Sequence, residues 1–329
     1  MCQGLSTGLC RHGAMRHFAY PRDCFAYPQG CFAYNENMIQ TWNITKYQIK
    51  KVQFQDPSSL DAITRQLPDG YYSTFRTYDG CRRVLGLNAH LRRLPNVDAS
   101  SLRQNLLQLL EPFHPDEARV RVMLTFDGQI YVSIELLKLL PPEVYKQGVR
   151  VETTELYRAD PRSKSTAFIA ASSEERKHLA QEGIFEALLV KNGKILEGMT
   201  SNFFYVLSPR AERSGAQTKR RASSAGLTSI SPSARRDPIY TAQLNILLGV
   251  TRRTVIHVAR GRGVEVKYQP LKLNQLPAVD EAFITSSSRG IVPVIQIDEV
   301  TIGEGMPGKI TKILMSAYDA YVLIHAEKI

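Results

Sequence analysis

Apolar residues recur along this chain at two spacings, and the switches between them divide it into elements. Over residues 58–67 (Ser-Ser-Leu-Asp-Ala-Ile-Thr-Arg-Gln-Leu) they share one helical face; serine can cap the start and Pro68-Asp-Gly ends the run. Residues 71–78, a turn at Asp79-Gly80 and residues 83–87 predict a hairpin. Asp98-Ala-Ser-Ser-Leu opens a second helix running to about 111. Alternating stretches at 118–126 and 129–136 flank Asp127-Gly128, a strong hairpin signal. Pro141-Pro142 then interrupts the pattern, and a domain junction is expected near 145–160.

The second half starts with a predicted strand at 149–157. Ser172-Ser-Glu-Glu175 reads as a capping box opening a helix that Gly183 closes. A strand at 186–191, a turn at Asn192-Gly193 and a return strand through 203–207 predict one hairpin carrying Glu197 and Asn202. Leu248-Gly-Val-Thr251 leads into a helix over 252–260, and 282–286 reads as a strand running into Ser287-Ser-Arg-Gly290. Pro307 followed by Ile310, Ile313, Leu314, Ala317 and Tyr321 predicts a core-facing C-terminal helix. The mixture predicts an α+β protein with a small N-terminal domain over 38–150 and a larger mixed domain over 151–329.

Two segments carry neither period. Residues 1–37 hold Phe18-Ala-Tyr-Pro-Arg-Asp-Cys24, then Phe25-Ala-Tyr-Pro-Gln-Gly-Cys31, then Phe32-Ala-Tyr-Asn, repeats too short and too few for a solenoid. They read as a low-complexity, disordered extension, with organised protein starting at Met38. Cys2, Cys10, Cys24 and Cys31 lie there beside His12 and His17, but the irregular spacing forms no CxxC pair, and no metal is expected. Residues 208–238 hold seven Lys/Arg against Glu212 and Asp237, a net of +5 within a chain total of +11. With no hydrophobic periodicity and too little apolar surface to bury, this stretch reads as a solvated, disordered insertion rather than a nucleic-acid-binding patch. No apolar run approaches a membrane span, and the first twenty residues lack a signal peptide's apolar core, so a soluble cytoplasmic protein is expected.

Candidate chemistry gathers in the second half. Glu197-Gly-Met-Thr-Ser-Asn202 sets a carboxylate beside small residues that let a flat ring approach, and Lys164 lies 33 positions upstream. At Gly249-Val250-Thr251 the unpaired N–H groups of a helix start favour an anion. An amine, a carboxylate and an anion cradle are the requirements of a pyridoxal phosphate site. In this order and spacing they resemble the class IV aminotransferases, the pyridoxal-phosphate family of fold type IV, which includes branched-chain and D-amino-acid aminotransferases and aminodeoxychorismate lyases. The likeness spans about residues 60–325, strongest over 160–295, with the basic insertion interrupting it.

That resemblance implies a pseudo-barrel in the larger domain and a homodimer. It also implies a cofactor-carrying lysine at Lys164, a ring-nitrogen partner at Glu197 and an oxygen-side contact at Asn202. Phosphate ligands are implied at Arg93 (with Arg92 as a decoy), at Val250 and Thr251, and at Ser287. The expected reaction is ping-pong transamination by Schiff-base chemistry between an amino acid, branched-chain-like or other, and a 2-oxo acid. Within the family the alternative is a carbon–carbon lyase releasing pyruvate; outside it, a non-catalytic cofactor-binding protein or a basic RNA-associated module. The chain departs from the family at Leu248, where proline is usual, and at Phe168, where branched-chain enzymes carry a tyrosine. Tyr72-Ser-Thr-Phe-Arg76-Thr replaces a glutamate-bearing segment, and no Arg-x-His pair stands where D-amino-acid enzymes grip the α-carboxylate.

Overall fold

The alternation around Asp127-Gly128 forms the centre of a five-stranded antiparallel sheet. A computed structural model describes residues 39–207 and 237–329; the N-terminal repeats and nearly all of the basic insertion lie outside the described residues. The chain first lays down β1 (Gln40–Ile44) and β2 (Ile49–Val52), then helix α1 (Leu60–Arg65), whose first turn is capped by Ser59 accepting from the Ala62 N–H. Then come β3 (Gly70–Arg76), β4 (Arg83–Val84), α2 (Leu87–Leu91), α3 (Ala99–Leu110), β5 (Ala118–Thr125) and β6 (Ile130–Leu136). The sheet order is β2-β1-β6-β5-β3. Val120, Val122, Val132 and Ile134 meet Leu102 and Leu106 of α3 in one core.

After α4 (Pro142–Gln147) come β7 (Val149–Thr154), α5 (Ala167–Ala171), α6 (Ser173–Glu182), β8 (Glu186–Lys191), β9 (Lys194–Gly198) and β10 (Asn202–Leu207). Next are β11 (Ile239–Thr241), α7 (Val250–Gly261), β12 (Val266–Tyr268), β13 (Leu271–Lys272), β14 (Val279–Ser286), β15 (Gly290–Ile297) and β16 (Val300–Thr301). Helix α8 (Lys309–His325) and β17 (Glu327–Lys328) end the chain. Ten strands form a curled half-barrel ordered β12-β11-β10-β14-β15-β7-β8-β9-β13, with β16 beside β15.

Strand β10 shows why this sheet is covered on both faces. All six of its residues are buried, and the two-residue period sorts them. Phe203, Tyr205 and Leu207 face the core shared with Leu188, Ile284 and Val294. Phe204 and Val206 face Val255 of α7 and Leu314 and Tyr318 of α8. Each such aromatic contributes about 2–3 kcal/mol of burial. Strand β17 pairs with β4, and Arg103 bonds Glu327 at 2.8 Å, tying the C-terminus to the first half.

Three local expectations are corrected. The hairpin expected over 71–87 shrinks to a Tyr78–Arg83 bridge, because β3 pairs with β5 and β4 with β17. The Ser172 capping box does not form: α5 runs almost directly into α6, and the Ser172 hydroxyl donates to the Phe168 carbonyl at 2.7 Å. The expected 186–207 hairpin is two units. Strand β8 pairs with β9, whereas β10 pairs with β11 and β14. Among the described residues no helix is long and apolar enough to cross a membrane.

Candidate active site

A cavity of about 310 Å³ lies where the two sheets meet, and all seven residues singled out in the sequence line it: Arg93, Lys164, Glu197, Asn202, Val250, Thr251 and Ser287. Lys164 belongs to the irregular segment between β7 and α5, and β3 acts as its template. The Tyr72 N–H donates to the Lys164 carbonyl at 2.9 Å, and the Thr166 N–H donates to the Gly70 carbonyl at 3.0 Å. The Lys164 Nζ sits 4.8 Å from the Tyr72 ring centroid. Burial, then the charges of Arg93, Arg121 and Arg158, hold its amine well below the usual lysine range.

Glu197, at the end of β9, is 2% exposed. It accepts from Arg158 Nε at 3.1 Å, the Leu247 N–H at 3.0 Å and Asn202 Nδ2 at 3.2 Å. Burial pushes its carboxyl up to about 7, with Arg158 and the Leu247 N–H pulling the other way. Asn202 Nδ2 also donates to the Leu247 carbonyl at 2.7 Å, so it ties β10 to the approach of α7. The Cβ of any side chain at Gly249 would meet Asn202 Oδ1 at 2.2 Å, which reserves that position for glycine.

Arg93 follows α2 and donates through Nη2 to the Leu248 carbonyl at 2.9 Å. Arg92, its neighbour, is exposed and does not line the cavity. Among the described residues Arg93 has no carboxylate partner. Burial and the nearby Arg253 charge lower its ionisation to about 10, so it remains a cation at neutral pH. Beside it α7 begins at Gly249 with no side-chain cap, leaving its first N–H groups directed at the cavity end. The Thr251 hydroxyl reaches Ser287 Oγ at 3.4 Å. Behind Ser287 lies His90, fully buried, with Nδ1 2.9 Å from Ser73 Oγ and burial holding it neutral.

Sequence reasoning missed the residues that support this set. Arg158 is the buried partner of Glu197, and its guanidinium lies 3.8 Å from the Phe168 ring centroid. Its Nη1 is sealed and has no partner among the described residues. Tyr72, Arg121, Asp61 and Arg289 also line the cavity. Their only sequence signal is polarity on otherwise buried strands and turns; nothing local shows which face they take.

The donor set fits pyridoxal phosphate: an amine kept neutral for an aldehyde, a cation and an uncapped helix start for a phosphate, and a buried carboxyl for a ring nitrogen. Comparison with known proteins agrees. The class IV amino-transferase family model matches residues 70–297. The chain is 24% identical over 294 residues to a D-alanine aminotransferase from Bacillus licheniformis, covering 80% of this chain and 91% of that one. It is 27% identical over 277 residues to a putative branched-chain-amino-acid aminotransferase from Methanocaldococcus jannaschii, covering 76% and 86%. In fold it is similar to a putative branched-chain amino acid aminotransferase from Thermotoga maritima (TM-score 0.64, 24% identity, 87% and 96% covered). It is also similar to the PLP-bound form of a hypothetical aminotransferase from Mycobacterium tuberculosis (TM-score 0.63, 19% identity, 86% and 99% covered). With a family match running from β3 through β15 and the fold shared along most of its length, the chain belongs to the class IV aminotransferases, enzymes that work with pyridoxal phosphate.

Proposed function

We propose that Lys164 carries the cofactor and moves the proton in a transamination between an amino acid and a 2-oxo acid. The observation that carries this reading is the meeting of Lys164, Glu197 and Arg93 on one cavity, although they come from three separate elements. Pyridoxal phosphate supplies an aldehyde that captures amines and a ring that accepts electron density as the substrate's Cα–H bond weakens. Arg93, the N–H groups of Val250 and Thr251, and the Ser287 hydroxyl would hold the phosphate. Glu197, steadied by Arg158 and Asn202, would partner the ring nitrogen, with Asn202 supporting the ring's oxygen side. A neutral Lys164 Nζ can accept the Cα proton and return it on the far side of the transfer.

The substrate is assigned only as an amino acid, branched-chain-like or other. The enzyme is placed in the cytoplasm as a homodimer without nucleic acid. Exposed Leu323 and Ile324 on α8 support self-association, because two adjacent apolar side chains are better covered than left in water. Light scattering on the purified chain tests this; a monomer at micromolar concentration refutes it. For the activity, borohydride reduction with cofactor followed by peptide mapping should tag Lys164. A panel of L- and D-amino acids should then release 2-oxo acid without net pyruvate elimination. Tagging of Lys191 or Lys177 instead overturns the assignment.

A further inference from the structure

The phenol of Tyr72 lies beside Lys164, and the assignments above give it no role. Tyr72 lies on β3, 5% exposed, and lines the cavity. Its backbone N–H bonds the Lys164 carbonyl, which fixes the two residues side by side whatever their side chains do. Its ring packs against two side chains, with the Arg121 guanidinium 4.7 Å from the centroid and the Lys164 Nζ 4.8 Å from it. A ring held in that way is fixed in position. Arg121 is committed elsewhere: it bonds the Leu60 carbonyl at 2.9 Å, Thr64 Oγ1 at 2.7 Å and Asp61 at 2.8 Å. The Tyr72 side chain lines the cavity, and among the described residues no hydrogen bond ties its hydroxyl to the protein, which leaves that hydroxyl free to meet a ligand.

Phe168 cannot take this place, since its ring is covered by Arg158 and does not line the cavity. Tyr72, Lys164 and Arg93 line one cavity, so a cofactor held by the other two would share that space with the Tyr72 side chain.

We infer that Tyr72 is a cofactor-binding residue of this enzyme, its hydroxyl donating a hydrogen bond to bound pyridoxal phosphate while its ring supports Lys164. This rests on the assignment of Lys164 and Arg93 given above. The test uses the full chain stripped of cofactor and measures pyridoxal phosphate retention by equilibrium dialysis, independently of turnover. Tyr72→Phe keeps the ring and removes the donor; its retention should fall about tenfold or more, the usual loss for a hydrogen bond to an ionised group. Borohydride should still fix the cofactor to Lys164, and the cofactor-free melting temperature should not move. Retention equal to wild type overturns the inference, even if Tyr72→Ala binds poorly, because the ring alone then accounts for the residue. Should Tyr72→Phe melt early, the chain carrying 3-fluorotyrosine at position 72 is dialysed instead. A stronger donor should tighten retention, and unchanged retention overturns the inference. If borohydride fails to tag Lys164 in the wild-type chain, the site assignment falls first and this one with it.

Discussion

Replacing Arg93 with alanine should have opposite effects on the two forms of the enzyme. In the cofactor-free chain Arg93 is a half-buried cation near Arg253 without a carboxylate partner among the described residues, and burial lowers its ionisation to about 10. Direct conversion at about 1.4 kcal/mol per unit gives about 3 kcal/mol of unfavourable charge. The cavity admits water, so a realised cost of about 1–2 kcal/mol is more apt. Against it stands the bond to the Leu248 carbonyl, worth about 1 kcal/mol. Arg93→Ala should therefore leave cofactor-free stability unchanged or raised by up to about 1 kcal/mol. With cofactor the sign reverses, because losing a buried charge-assisted partner costs about 2–4 kcal/mol of affinity, near 100-fold. At a cofactor concentration of about 100 times the wild-type Kd, binding stabilises the native chain by about 2.7 kcal/mol; a 100-fold weaker variant gains only about 0.4. Thermal melts with and without cofactor read both numbers. A variant that keeps the full cofactor-induced shift, or Arg92→Ala losing it in place of Arg93→Ala, refutes the reasoning.

Lys164 holds its proton less tightly folded than unfolded, so the unfolded chain binds more protons in the window below 10.5 and native stability rises with pH there. Lys164→Met should thus stabilise the cofactor-free chain most at neutral pH, with the gain shrinking toward pH 10.5; denaturant melts at several pH values check this. Glu197 has the opposite sense: its folded ionisation is raised from 4.5 to about 7, so the stability it lends at low pH is lost as pH climbs through that range. Glu197→Gln should flatten that loss, keep cofactor affinity within about tenfold, and lower turnover by about 100-fold or more, which saturating cofactor does not restore. Because Tyr205 of β10 pairs with Tyr240 of β11 in antiparallel register, joining residue 207 to 237 through a short Gly/Ser bridge should preserve cofactor retention; a folded chain unable to hold cofactor would show that the removed segment serves the site.

Much of the architecture was legible because it depends on local chemistry. Ser59 and Asp98 cap α1 and α3 as their side chains require. The Asp127-Gly128 and Asn192-Gly193 turns close hairpins where positive φ is needed, at 86° for Gly128 and 53° for Asn192. The seven candidate site residues, taken from motif order and from the family resemblance, line one cavity.

What sequence could not show was decided by pairing between distant strands. Ser172 looks like a helix cap until the preceding turn is also helical, when its hydroxyl is better used by the Phe168 carbonyl. Glu197 and Asn202 look like neighbours on one hairpin, yet β9 and β10 take non-adjacent places in the curled sheet, and Asn202 Nδ2 donates to the Glu197 carboxylate across the turn between them. The partners of the two titrating groups come from farther still: Arg158 lies 39 residues from Glu197, and Tyr72 comes from the other sheet to lie against Lys164. Local propensity determines which segments are helices, turns and strands, because capping and alternation act over a few residues. Which charges become buried together, and hence the neutral lysine and the protonatable glutamate, is settled only when the two sheets close on each other.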